Sequence, residues 1–142
     1  LITKRNKTMA KIARTPFNAS RWVTKRVSSN TNLSIKQTGQ CIFVSASSAV
    51  DLNINFLDKG SYFKIIVRED TTAAININLP AMEGVLIFDL GAGAGLVNAG
   101  ESDQTILTIP TAASAGTYVD LICDGLKWYV TGMAHGVQWT QS

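Results

Sequence analysis

The chain has 142 residues, of which 46% are apolar and only 16% charged, enough for one domain with a core of its own. No run approaches the roughly 18 apolar residues that a membrane-spanning helix needs, and the basic N-terminal stretch lacks the apolar segment of a secretion signal. Low charge with abundant Ser, Thr, Asn, Ala and Gly is unlike a typical cytosolic enzyme. It suits a β-rich protein that presents much of its surface to partners.

The net charge of +3 conceals a division. Residues 1–26 hold Lys4, Arg5, Lys7, Lys11, Arg14, Arg21, Lys25 and Arg26 and no acid, whereas the rest holds five bases and ten acids. A basic arm is therefore expected on a mildly acidic body. The first residue is not methionine and a Met9-Ala10 pair follows, as an upstream start or a processed chain would give. Ile12, Phe17, Trp22 and Val23 fit neither a period of 2 nor one of 3.6, so the arm is not expected to form a helix or strand by itself. Phe17 and Trp22 are its expected anchors, because aromatic side chains supply much of the contact area at interfaces. Ser28 to Asn32 is a polar linker, which sets the expected boundaries at 1–32 for arm and linker and 33–142 for the body.

Strand signals follow in series. Leu33 to Gln37 and Gln40 to Val44 come first. Val50 to Phe56 alternates Val50, Leu52, Ile54 and Phe56 with Asp51, Asn53 and Asn55. Tyr62 to Arg68 puts Phe63, Ile65 and Val67 on one face. Ala73 to Leu79 sets Ile75, Ile77 and Leu79 against Asn76 and Asn78. Val85 to Leu90 is continuously apolar, as a strand buried on both faces would be, and Thr105 to Ile109 closes at Pro110. The outward Asn and Thr positions are uncharged, cheap to desolvate, and suited to an oligomer contact. No helix is expected beyond a turn within Thr111 to Ala115.

Gly116 to Gly132 is the strongest hairpin in the chain. Val119, Leu121 and Cys123 alternate with Tyr118, Asp120 and Ile122. Asp124-Gly125 tolerates the positive φ of a tight turn, and Trp128 shares a face with Val130 and is the expected core anchor. About nine short strands between brief turns predict an all-β fold, an antiparallel, jelly-roll-like β-sandwich carrying an extended N-terminal arm.

The constellations that could carry chemistry are incomplete. Gly91-Ala92-Gly93-Ala94-Gly95 follows a strand, yet neither a helix nor Gly-Lys-Ser/Thr comes after it, so a phosphate loop is not expected. His135 is the single histidine, and no Gly-x-Ser-x-Gly accompanies it. Glu69-Asp70 and Glu101/Asp103 fall at turns without calcium-loop spacing and read as solvated acids. Cys41 and Cys123 lie in apolar runs, as buried free thiols do. No catalytic residue, metal or cofactor is therefore expected. The basic arm has three readings: docking on an acidic neighbour, which its charge fits best, an inert solubilising segment, and nucleic-acid binding, which the acidic body disfavours because it would repel a phosphate backbone.

The segment from Gly116 through Asp124-Gly125 to Trp128-Tyr129-Val130 and Gly132 resembles a hairpin recurrent in tailed-phage virion proteins. The resemblance extends over roughly Gln40 to Gly132, with Asn- and Ala-rich strands, an apolar strand and a Gly-rich loop in similar order. It is specific to a class of particle proteins that includes capsid decoration (cement) proteins, head fibres and tail-fibre modules. It implies a structural protein without enzymatic activity, seated as a homotrimer on the major capsid protein at the capsid exterior of a bacteriophage virion. Lys4, Arg5, Lys7, Lys11, Arg14, Phe17, Arg21, Trp22, Lys25 and Arg26 would then contact the neighbour. The alternatives are a fibre module that binds host glycan or receptor through Tyr62, Tyr129 or Trp139, and a nucleic-acid binder acting through the arm.

Overall fold

The computed structural model describes residues 22–89, 95–96, 104–134 and 140–142. Twelve strands lie among them: β1 (Thr24–Val27), β2 (Thr31–Leu33), β3 (Cys41–Val44), β4 (Val50–Ile54), β5 (Tyr62–Val67), β6 (Ile75–Asn78), β7 (Met82–Asp89), β8 (Gly95–Leu96), β9 (Ile106–Ile109), β10 (Tyr118–Cys123), β11 (Trp128–Ala134) and β12 (Thr140–Gln141). The first six alternate between two sheets. The chain makes a strand in one sheet, crosses to the other, and returns to pair in parallel with the strand two before it. Thus β1, β3 and β5 run side by side, as do β2, β4 and β6. This opening half is a flattened coil of three turns.

The later strands close both sheets. β9 lies antiparallel to β6, and β12 to β9. The hairpin of β10 and β11 lies antiparallel to β5. β7 runs parallel to β11 and antiparallel to β8. The orders are β1-β3-β5-β10-β11-β7-β8 and β12-β9-β6-β4-β2.

Both sheets are therefore mixed, where the sequence suggested antiparallel pairing. Alternation with period two specifies which face is buried, but carries no information on the direction of the neighbouring strand. The strands beyond the expected nine are short pieces, β1, β8 and β12. Leu33 to Gln37 is not one strand: β2 ends at Leu33, and Ile35–Gln37 is a single 3-10 turn, the only helical element among the described residues. Thr111 to Ala115 is a turn held by Thr71. The Thr71 hydroxyl donates to the Pro110 carbonyl and accepts from the Ala113 N–H.

Within the segment expected as arm and linker, Thr24–Val27 and Thr31–Leu33 are outer strands of the two sheets, and residues 1–21 lie outside the described residues. So do Gly91 to Ala94, Glu101, Asp103, His135 and Trp139.

The two sheets share one core. Ile42, Val44, Phe63, Ile65, Val119, Leu121 and Val130 come from the seven-stranded sheet, and Leu52, Ile54, Ile75, Ile77, Leu107 and Ile109 from the five-stranded one. Each is fully or almost fully buried, worth about 1.5–3 kcal/mol apiece. Cys41 and Cys123 are buried and free, as expected.

The outward residues of the five-stranded sheet bond to one another. Parallel register places Asn32, Asn53 and Asn78 in one row, with Asn78 Nδ2 donating to Asn53 Oδ1 at 2.7 Å and Asn53 Nδ2 to Asn32 Oδ1 at 3.0 Å. In the next row Thr108 Oγ1 donates to Asn76 Oδ1 and Asn76 Nδ2 to Asp51 Oδ1, both at 2.9 Å. Each such bond contributes about 0.5–1.5 kcal/mol net. The outward amides thus knit the coil together along its outside.

Candidate functional site

The outer face of the seven-stranded sheet gathers the exposed aromatic side chains. It is built by the odd half of the alternation. Val119, Leu121 and Cys123 point into the core, so Tyr118, Asp120 and Ile122 stand on the far side. Register sets them among residues of β5 and β11 in three rows. Tyr62, Ile122 and Tyr129 form the first, Lys64, Asp120 and Thr131 the second, and Ile66, Tyr118 and Met133 the third. A polar row is thus flanked by two apolar and aromatic rows, about 7 Å apart along the strands.

The hairpin that carries this face turns through Asp124 to Lys127, with the expected Asp124-Gly125 pair at its start. Gly125 adopts φ +98° as its sequence required. The Asp124 carboxylate accepts from the N–H groups of Leu126 and Lys127, both at 2.8 Å. Those bonds hold its carboxyl below the usual range. Its second oxygen accepts from the Tyr129 hydroxyl at 3.2 Å, and the Asp124 charge raises the Tyr129 phenol.

Asp120 organises the polar row. Its Oδ1 accepts from the Tyr62 hydroxyl at 2.7 Å and from Lys64 Nζ at 3.3 Å. The Lys64 ammonium also sits 4.1 Å from the centroid of the Tyr118 ring, a cation–π contact that fixes both side chains. Trp22 packs on Tyr62 with ring centroids 5.7 Å apart and stays half exposed. Lys127 pairs with Glu83 at 2.6 Å on the flank of Tyr129.

Burial, then the hydrogen bond to Asp120 and that carboxylate's charge, push the Tyr62 phenol up to about 12 from an ordinary 10.0. The folded state therefore holds this proton more tightly than the unfolded chain does. The stability it contributes is complete below pH 10 and is expected to be lost as the pH rises from 10 through about 12. Urea midpoints across that range, with phenolate absorbance recorded in parallel, check this. In Asp120→Asn the Tyr62 titration is expected to move down but not to the ordinary value, because burial remains. An unmoved titration would show that Asp120 does not act on it.

Of the arm residues named from sequence, Trp22 and Arg26 sit at the rim of this face, whereas Lys25 pairs with the core residue Ile42 and stands on the other side of β1. Trp22 touches Tyr62, and Lys25 and Arg26 lie on β1 at the sheet's edge. Lys4, Arg5, Lys7, Lys11, Arg14, Phe17 and Arg21 lie outside the described residues, as does Trp139. Tyr62 and Tyr129 are brought into one row. Tyr118, Lys64 and Asp120 were missed as site residues. Their signal was present in the hairpin's alternation, but the register that joins them to β5 is not readable from one strand.

Burial raises the Cys41 thiol, which leaves it a poor nucleophile near neutral pH. No group of three or more His, Cys, Asp or Glu able to hold a metal occurs among the described residues. None of their helices is long and apolar enough to cross a membrane.

No protein-family model, no curated protein and no solved structure matches this chain.

Proposed function

We propose that the chain is a structural virion protein, most like a capsid decoration (cement) protein. In this reading its two sheets form a sandwich-type body at the capsid exterior, it assembles as a homotrimer on the major capsid protein, and it catalyses nothing. The supporting sequence signal is the Gly116 to Gly132 hairpin.

The observation that carries the reading is how the basic segment joins the body. Trp22 leans on Tyr62, and the next residues form β1, paired with β3 over Thr24↔Cys41 to Val27↔Val44. A pull on residues 1–21 therefore acts on a row of backbone hydrogen bonds at a sheet edge and not on a loose linker. A strap rooted in this way suits a clamp on an acidic neighbour. Three straps in one trimer raise the effective concentration of each for its site.

The test removes residues 1–21 and leaves Trp22 and β1 in place. Retention of the protein on particles under heat or chelation is then measured. Occupancy is expected to fall well below that of the full chain, while undiminished occupancy would overturn the clamp.

A further inference from the structure

We propose that the outer face of the seven-stranded sheet is a binding site for a neutral oligosaccharide, centred on Tyr62, Asp120 and Tyr129. Three properties of the face select that ligand.

The first is its pattern. Tyr62, Ile122 and Tyr129 occupy matched positions on three adjacent strands, so the two tyrosines stand about 10 Å apart, two strand spacings. Ile122 between them is 52% exposed and Tyr129 38%. This apolar row can lie against the C–H faces of successive sugar rings, whose hydrogens meet the electron-rich face of an aromatic ring. Trp22, 53% exposed, extends the row beyond Tyr62.

The second is the hydrogen-bonding capacity beside it. Asp120 spends Oδ1 on Tyr62 and Lys64, while Oδ2 has no partner among the described residues. The carboxylate is thereby held in one orientation with an acceptor open among the described residues, and Lys64 is held beside it as a donor. Hydroxyl groups of a sugar lying on the aromatic row fall over this polar row. An apolar partner, or a second copy packed face to face, would strip the Lys64–Asp120 pair of water without replacing its hydrogen bonds, which is costly.

The third is charge. Lys64 is paired with Asp120, and Lys127 with Glu83. Asp124 remains as a carboxylate without a cation beside it in these pairs, so the charges around Tyr62, Asp120 and Tyr129 leave no positive excess for an anionic ligand. The exposed Arg26 stands on β1 at the rim, three strands from Tyr118. A neutral chain of sugars matches it better than a sulfated one or a nucleic acid.

The experiment titrates the full chain with cellotetraose, maltotetraose and chitotetraose, and with a heparin-derived tetrasaccharide, at low and high salt. At least one of the three neutral oligosaccharides is expected to bind with an affinity that salt leaves unchanged. Tyr62→Ala and Tyr129→Ala should each weaken that binding about five- to tenfold. Asp120→Asn should weaken it about tenfold, and Tyr62→Phe should keep most of it because the ring remains. Tyr129 is exposed, so its variant separates loss of binding from loss of fold, with near-ultraviolet circular dichroism as the control. No binding by any of the neutral three would overturn the proposal. So would preference for the anionic probe, or unchanged affinity in Tyr129→Ala and Asp120→Asn. None of these variants touches residues 1–21, so the outcome is independent of the particle-retention test.

Discussion

Replacing Gly132 by alanine is expected to cost about 3 kcal/mol, which lowers the thermal midpoint of a domain this size by about 10 °C. Gly132 faces Val119 across the hairpin and Ile87 on the other side. A Cβ there would press into the carbonyl oxygen of Tyr118 and come within 3.0 Å of both Cα and Cγ1 of Val119. These are mostly backbone atoms, and β11 is held by a strand on each side, so neither partner can move off without breaking ladder hydrogen bonds. The position lacks a positive φ, so the requirement for glycine comes from close approach alone. Thermal and urea unfolding of Gly132→Ala check this. A midpoint within a few degrees of the parent would show that the sheet bends to admit a methyl group.

Trp128→Ala is expected to be the more damaging change, at about 3–5 kcal/mol. The side chain is fully buried and packs edge-on against Phe56 at 5.8 Å and tilted against Phe63 at 6.1 Å. Its indole Nε1–H donates to the Phe56 carbonyl at 2.9 Å, which ties the loop after β4 to the hairpin. Trp128→Phe separates the two contributions. It keeps most of the apolar volume but leaves the Phe56 carbonyl unpaired, for an expected loss of about 1–3 kcal/mol. Chemical denaturation of both variants checks the order. Equal losses would mean that packing contributes little beyond the hydrogen bond.

Much of the buried side of this fold was legible in the sequence. Val50, Leu52 and Ile54, Phe63, Ile65 and Val67, and Ile75 and Ile77 announce their strands by alternation, and all are buried. Trp128 stands out because a large aromatic beside a turn residue pair needs a core to fill. The coil was not legible. Nothing local distinguishes a strand that returns in parallel beside Cys41–Val44 from one that doubles back on its neighbour, and only the shared register shows it. The amide rows were not legible for the same reason. Asn32, Asn53 and Asn78 look like three separate surface residues until parallel pairing lines them up. Half of the candidate site was visible as the tyrosines Tyr62 and Tyr129 at outward strand positions. The other half, the Lys64–Asp120 contact, joins residues from separate strands and needed the β5–β10 register.

The place of β7 has a consequence for how the chain is made. Its long neighbour is β11, which is synthesised later, and β8, the strand that follows it, covers only Phe88 and Asp89. The turns of the coil can close one after another as each leaves the ribosome, because every new strand meets one already in place. Met82–Asp89 cannot, and emerges as an unpaired apolar strand that must wait for Trp128–Ala134. During that interval the nascent chain is open to mispairing with other copies, and a chaperone that shields this stretch would raise the folded yield.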